Sequence, residues 1–143
     1  MILLGRLAEA ALKTARDHLN PLFADHGLQP GEFDVLATLR RAGSPYALTP
    51  TDLYGAAMIS SGSMTNRIDR LEKVGLVERR AHPSDRRGTL VVLTAAGRHM
   101  IDSIIALHVA NQHKIVNGLD PREQEQLSQL LAKLLATVDN TNA

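Results

Sequence analysis

The chain has 143 residues, enough for one compact domain or one small domain with a helical attachment. Hydrophobic residues make up 44% of it and charged residues 22%, which excludes a disordered chain, and the absence of cysteine excludes disulfides, thiolate metal sites and cysteine-based redox sensing. The four aromatics, Phe23, Phe33, Tyr46 and Tyr54, leave the core to aliphatic side chains, and a net charge of +1 does not by itself suggest a nucleic-acid partner.

Met1 to Asp25 reads as an amphipathic helix. Leu3, Leu4, Leu7, Ala11, Ala15, Leu19 and Leu22 fall near one face, and Arg6, Glu9, Lys13, Arg16 and Asp17 near the other. Its apolar opening is too short for a membrane span or a signal-peptide core, and Arg6 and Glu9 interrupt it. Asn20-Pro21 is expected to bend or break the helix, and His26-Gly27 to end the segment. Pro30 is expected as the first residue of a second helix, running to about Arg41, with Phe33, Leu36, Ala37 and Leu39 or Arg40 on its buried face. Gln29 stands before it where a capping Ser or Thr would be usual, which predicts a weaker helix start. After a loop at Ala42-Gly-Ser-Pro45, Thr49 caps a short third helix with Pro50 in its first position and Asp52 near the positive end of the helix dipole. That helix ends near Met58, and Ile59 to Gly62 turns into a fourth, capped by Ser60 or Ser61.

The fourth helix has two unlike faces. Met64, Ile68 and Leu71 form one buried stripe, whereas Ser63, Asn66, Arg67, Arg70 and Lys73 present hydrogen-bond donors on arms of graded length. Two helices joined this tightly, the second with such a face, form a helix-turn-helix. Gly75 stops the helix in a left-handed conformation, and Leu76–Arg80 and Thr89–Leu93 read as paired strands joined by a turn that carries Arg86 and Arg87. From Ser60 to Gly88 there are seven Lys/Arg against four Asp/Glu, nearly half of the basic residues in a fifth of the chain. A helix for the major groove followed by a basic hairpin is the layout of a winged helix-turn-helix, so the fold class expected is mainly α with a small β-hairpin wing. Asn66 and Arg67 are the candidates for base edges, since Asn suits adenine and Arg suits guanine. Ser61, Ser63 and Thr65 suit the backbone, with Arg70 on the same face. Arg86 and Arg87 suit phosphate or the minor groove, with Asp85 as a brace. Arg79 and Arg80, at a strand end, are either contacts or merely solvated.

Thr94 caps a long helix from Ala95 to about Asn117, with Met100, Ile101, Ile104, Ile105 and Leu107 on one side. Asp120-Pro-Arg-Glu123 is a capping box opening a last helix, whose Leu127, Leu130, Leu131, Leu134, Leu135 and Val138 form a wide apolar stripe. Such stripes require cover, either from a second copy of the chain or from one another within a single chain. The six histidines show no helical i, i+4 pair and no His-Glu-x-x-His, so neither a metal nor a cofactor is expected. Gly-x-Ser-x-Gly and the phosphate-binding glycine loop are also missing, which argues against an enzyme.

Five motifs, in this order, resemble the MarR (multiple antibiotic resistance) family of bacterial transcription regulators. They are Gly31-Glu-Phe-Asp-Val-Leu36, Leu48-Thr-Pro-Thr-Asp-Leu53, Ser60-Ser-Gly-Ser-Met-Thr-Asn-Arg-Ile-Asp-Arg-Leu71, Gly75-Leu-Val-Glu-Arg79 and Asp85-Arg-Arg-Gly-Thr-Leu-Val-Val-Leu-Thr-Ala-Ala-Gly97. The resemblance implies a cytoplasmic homodimer made as one intertwined domain. Residues 1–28 would be an N-terminal dimerisation helix, 29–93 the winged DNA-binding lobe and 94–143 the C-terminal dimerisation helices. It implies binding to a double-stranded, pseudo-palindromic operator, usually as a repressor, with relief by a small anionic or phenolic effector in a crevice beside the lobe. His18, Leu22 and Phe33 are the candidates for lining that crevice. It also implies that the wing arginine, here Arg87, enters the minor groove while Asp85 holds it. The rival reading is a dimeric winged-helix scaffold whose wing serves a protein partner.

Overall fold

A computed structural model describes residues 1–56 and 61–141, apart from the side chains of Ser61 and Gly62. The elements in chain order are α1 (Ile2–Lys13), a π-helical turn (Thr14–Leu19), α2 (Asn20–Asp25), α3 (Glu32–Arg41), β1 (Ala47–Leu48), α4 (Pro50–Ala56), α5 (Ser61–Lys73), β2 (Val77–Ala81), β3 (Thr89–Leu93), α6 (Ala95–Val116) and α7 (Pro121–Thr141). Residues pack into two units, Met1–His108 and Val109–Ala143, divided within α6. The fold is mainly helical with one small antiparallel sheet, as expected. The expected end of the third helix at Met58 and the cap at Ser60 lie outside the described residues.

Most boundaries follow from local chemistry. Thr49 Oγ1 accepts the Asp52 N–H at 3.1 Å and opens α4, and Thr94 Oγ1 accepts the Gly97 N–H at 3.0 Å and opens α6. At α7 the capping box is reciprocal: the Asp120 N–H donates to Glu123 Oε1 at 3.0 Å, and the Glu123 N–H to Asp120 Oδ1 at 2.8 Å. Gly75, at φ 81°, ends α5. The break expected at Asn20-Pro21 takes the form of the π-helical turn just upstream, where the Asn20 N–H bonds back to the Ala15 carbonyl. The wide turn resets the bonding register where proline has no N–H to give.

Two expectations need correction. Pro30 does not begin the second helix; Pro30 and Gly31 lie in the turn before it, and α3 starts at Glu32. Gly31, with φ 84°, has no side chain to cap the helix, so Glu32 reaches back and accepts the Gln29 N–H at 2.5 Å. That is half of a capping box, consistent with the weaker start expected from Gln29. The second correction is β1, which pairs antiparallel with β3 (Ala47 opposite Val92) and completes the sheet order β1-β3-β2. Two residues are too few to register as an alternating pattern.

The core of the first unit is built around α3, which buries Phe33, Val35, Leu36, Ala37 and Leu39 together with Glu32 and Thr38. Leu53 of α4, Met64, Ile68 and Leu71 of α5, Val77 and Val91 of the sheet, and Ile101 and Ile104 of α6 meet it. The apolar stripe expected on the fourth helix is therefore the stripe that is buried. By contrast, α1 and α7 bury no residue, and Leu3, Leu4, Leu127, Leu130 and Val138 are all exposed.

Gly97 fixes how α6 leaves the wing. A β-carbon there would stand 2.0 Å from the Leu76 carbonyl oxygen, a backbone atom that cannot turn aside. Gly97→Ala is therefore expected to destabilise the protein by about 1–3 kcal/mol despite alanine's better helix propensity. Thermal unfolding followed by circular dichroism checks this, and an unchanged or raised Tm would show that the approach is not tight.

Candidate nucleic-acid interface

The face that the sequence assigns to DNA is carried by α5 and by the wing between β2 and β3. On α5, Thr65, Asn66 and Lys73 are exposed and Ser63 is half-buried, with Met64, Ile68 and Leu71 anchoring the opposite side. Ser61 begins the helix, but its side chain lies outside the described residues.

Arg67 and Arg70 do not extend from this face as free arms. Arg67 Nε donates to the Pro30 carbonyl at 2.9 Å, and its guanidinium lies against the backbone of Gly31. A β-carbon on residue 31 would stand 2.1 Å from Arg67 Nε and would push the guanidinium aside, while the positive φ there independently favours glycine. Arg70 forks: one terminal nitrogen pairs with Glu32 Oε1 and the other donates to the Gly27 carbonyl at 3.0 Å. Glu32 is only 1% exposed, whereas the Arg70 side chain is 31% exposed. Both arginines are thus committed to the α2–α3 turn. The sequence carried no direct sign of this, because Glu32 reads as an ordinary first-turn acid and the pair is 38 residues apart.

Arg79 is also committed. From β2 it reaches α5, donating to Asp69 Oδ1 at 2.6 Å and Glu72 Oε1 at 2.8 Å, while its own N–H donates to Glu72 Oε2 at 2.9 Å. Ion pairing holds its charge more firmly than usual against the opposing effect of burial. Its pairing offsets two carboxylates on a helix that would otherwise repel phosphate. Arg80 pairs with Glu78 along the same strand.

The wing tip is shaped from within. The Asp85 carboxylate accepts the Arg87 N–H at 3.0 Å, and the Asp85 carbonyl accepts the Gly88 N–H at 3.0 Å. His82 Nδ1 accepts the N–H groups of Ser84 and Asp85, each at 3.2 Å, which places its ring proton on Nε2. Asp85 therefore braces the turn through the backbone of Arg87. Arg86 and Arg87 are exposed at the tip. His82 is the part of this device that sequence reasoning missed; its place beside a proline turn was the available signal.

The residues assigned to an effector lie together only in part. Phe33 is buried, Leu22 packs against the same core, and His18 is exposed on the π-helical turn. The ring stacked on Phe33 is Phe23, with centroids 4.5 Å apart and planes within 8°. His108 completes a three-ring cluster, 4.6 Å from Phe33 and 5.5 Å from Phe23. Its Nδ1 is enclosed with no hydrogen-bond partner among the described residues. Burial lowers its pKa below the ordinary imidazole value, with Asp34 acting in the opposite sense.

Among the described residues no His, Asp and Glu side chains cluster as a metal site would require, and no helix is long and apolar enough to cross a membrane. The sequence model of the MarR family matches residues 28–89, from the α2–α3 turn to the wing. The regulator PecS of Dickeya dadantii is 36% identical over 134 residues, covering 94% of this chain and 80% of PecS. The chain belongs to the MarR family. Among solved structures, a mutant MarR of Escherichia coli bound to operator DNA superposes with a TM-score of 0.83 at 30% identity, covering 94% of each chain. BpsR of Bordetella bronchiseptica, whose DNA binding is regulated by 6-hydroxynicotinic acid, superposes with a TM-score of 0.80 at 27% identity, covering 92% of this chain and 98% of BpsR. This MarR family member is a DNA-binding transcriptional regulator with a winged helix-turn-helix, and not an enzyme.

Two outcomes follow from this geometry. Since folding lowers the His108 pKa, the unfolded chain takes up the proton first as the pH falls. The stability contributed by neutral His108 is complete above about pH 6.5 and is lost as the pH drops through that value toward the folded-state pKa. His108→Gln should therefore flatten the decline in Tm between neutral and mildly acidic pH, and an unchanged decline would assign it to other groups. His82→Ala should weaken DNA binding by roughly 0.5–1.5 kcal/mol, the net worth of a hydrogen bond, with little change in Tm. Fluorescence anisotropy on one DNA duplex, with wild-type protein as control, reads this out.

Proposed function

We propose that this regulator is a cytoplasmic homodimeric repressor of a pseudo-palindromic operator, relieved by a small anionic or phenolic effector. The observation that carries the DNA reading is the internally braced wing. Asp85 and His82 hold a tight turn whose only outward side chains of long reach are Arg86 and Arg87, beside a helix exposing Thr65 and Asn66. Asn66 is suited to adenine in the major groove, Ser61, Ser63 and Thr65 to the backbone beside it, and Arg86 and Arg87 to phosphate or the minor groove.

The homodimer is supported by α1 and α7, two helices of 12 and 21 residues that bury nothing while exposing leucines along one side. A second copy offers the matching surface, and a two-fold dimer presents two recognition helices to grooves about 34–36 Å apart. The effector reading is supported by the similarity to BpsR and by the cluster of Phe23, Phe33 and His108, with Leu22 and His18 on the segment leading to it. Stacked rings and a histidine nitrogen suit a flat heteroaromatic or phenolic acid. Relief of repression needs only that the effector prefer a dimer whose helices are spaced wrongly for DNA; ~1.4 kcal/mol of preference is a tenfold change.

The test is anisotropy on a duplex selected by the wild-type protein from a random library, at several salt concentrations, against a scrambled duplex. Specific repressor chemistry predicts a preference of ~10³ or more and a steep fall with salt. Arg86→Ala with Arg87→Ala should flatten the salt dependence by about 0.9 in log–log slope for each phosphate left without its cation. Equal weak binding to both duplexes would favour the scaffold reading. Titrating 6-hydroxynicotinic acid and 4-hydroxybenzoate into the complex tests the effector; no release by either would remove the support for that ligand class.

A further inference from the structure

The arginines of α5 stand where a recognition helix would be expected to spend its cations on DNA. Yet Arg67 lies flat on the α2–α3 turn with its Nε on the Pro30 carbonyl, and Arg70 bridges Glu32 and the Gly27 carbonyl. The two are three residues apart on α5, and together they hold three points between residues 27 and 32: the Gly27 and Pro30 carbonyls and the Glu32 carboxylate. The turn is built to receive them: Gly31 has no side chain where Arg67 lies, and the Glu32 carboxylate is buried, with its Oε1 shared between Arg70 and the Gln29 N–H. Drawing Arg70 away to a phosphate would leave that carboxylate enclosed without a cation, with Oε1 held only by the Gln29 N–H and Oε2 without a hydrogen-bond partner among the described residues.

We propose that Arg67 and Arg70 are positioning residues: they clamp the recognition helix to the α2–α3 turn and so set the angle at which Thr65 and Asn66 meet the groove. Base discrimination on α5 then falls to Asn66, which is exposed, while Arg67 reads no guanine. Glu32, although buried, becomes a determinant of DNA specificity.

The inference rests on the site-specific binding proposed above, which the wild-type selection tests by itself. On the selected duplex, Glu32→Gln and Arg70→Gln are each expected to lower affinity about tenfold or more. Both should narrow the preference over the scrambled duplex, and the double variant should be no worse than the weaker single one. The salt slope should stay as in wild type, and Arg70→Lys should not rescue, because an ammonium cannot fork between a carboxylate and a carbonyl. If Arg70 instead contacts phosphate, Arg70→Gln flattens the slope by about 1.8 for the dimer, Arg70→Lys restores it, and Glu32→Gln frees the arginine and leaves binding unchanged or tighter. Any of those results overturns the clamp. A double-mutant cycle of Glu32 and Arg70 by thermal unfolding, run without DNA, tests the clamp whatever the selection yields: additive losses in stability would overturn it. Should the Gln variants fail to fold, Arg70→Lys carries the DNA measurement, and Glu32→Asp with Arg70→Lys carries the cycle.

Discussion

The constraint on which the DNA-binding lobe depends is the burial of one carboxylate. Glu32, 1% exposed, stands at the first position of α3, the helix at the centre of the core. An ionised group taken out of water that far must be met by a cation and by hydrogen bonds, and stripping a buried pair of one member costs on the order of 3–5 kcal/mol. Arg70, being partly exposed, brings this pair toward or below the lower end of that range. An ion pair made at an open surface is worth about 0–1 kcal/mol. The comparison decides where the arginine stays. The recognition helix is therefore tied to the core at both ends of its width, by an apolar stripe on one side and by an ionic clasp on the other.

This arrangement redistributes the charge that a count along the chain lumps together. Of the basic residues between Ser60 and Gly88, Arg67 and Arg70 serve the α2–α3 turn, Arg79 offsets Asp69 and Glu72, and Arg80 pairs with Glu78. The cations left exposed toward a duplex, without an ion pair among the described residues, are Lys73, Arg86 and Arg87. A local excess of positive charge does not separate the cations that build the lobe from those left exposed, because the same side-chain type does both.

What could be read from the sequence was whatever depends on near neighbours. Thr49, Thr94 and the Asp120–Glu123 box act within a few residues of themselves, and Gly75 ends α5 with no help from elsewhere. The Met64, Ile68 and Leu71 stripe follows from helical period alone. The misses share a different cause. Strand β1 exists only because Val91 and Val92 of β3 offer it a partner. The clasp joins residues 38 apart, and His108 meets Phe23 and Phe33 from a helix some 75 residues downstream of the nearer ring. Each of these belongs to tertiary structure, where a one-dimensional pattern carries no direct signal. Arg67 shows the limit most plainly: its type is legible in the sequence, whereas its place against the Pro30 carbonyl and the bare backbone of Gly31 appears only in the fold.

The α2–α3 turn consequently has two tenants. On one side Phe23 and Leu28 bury against Phe33, with the His108 ring beside them. On the other, the carbonyls of Gly27 and Pro30 and the Glu32 carboxylate hold α5. Phe33 and Glu32 are consecutive, so the aromatic cluster and the ionic clasp share one stretch of backbone. Close-packed rings leave little free volume around that backbone, and the Arg67 and Arg70 hydrogen bonds are charge-assisted, which makes them stronger than neutral ones. The rings and the recognition helix therefore lean on the same short stretch of backbone, one through the Phe33 side chain and the other through the Glu32 carboxylate.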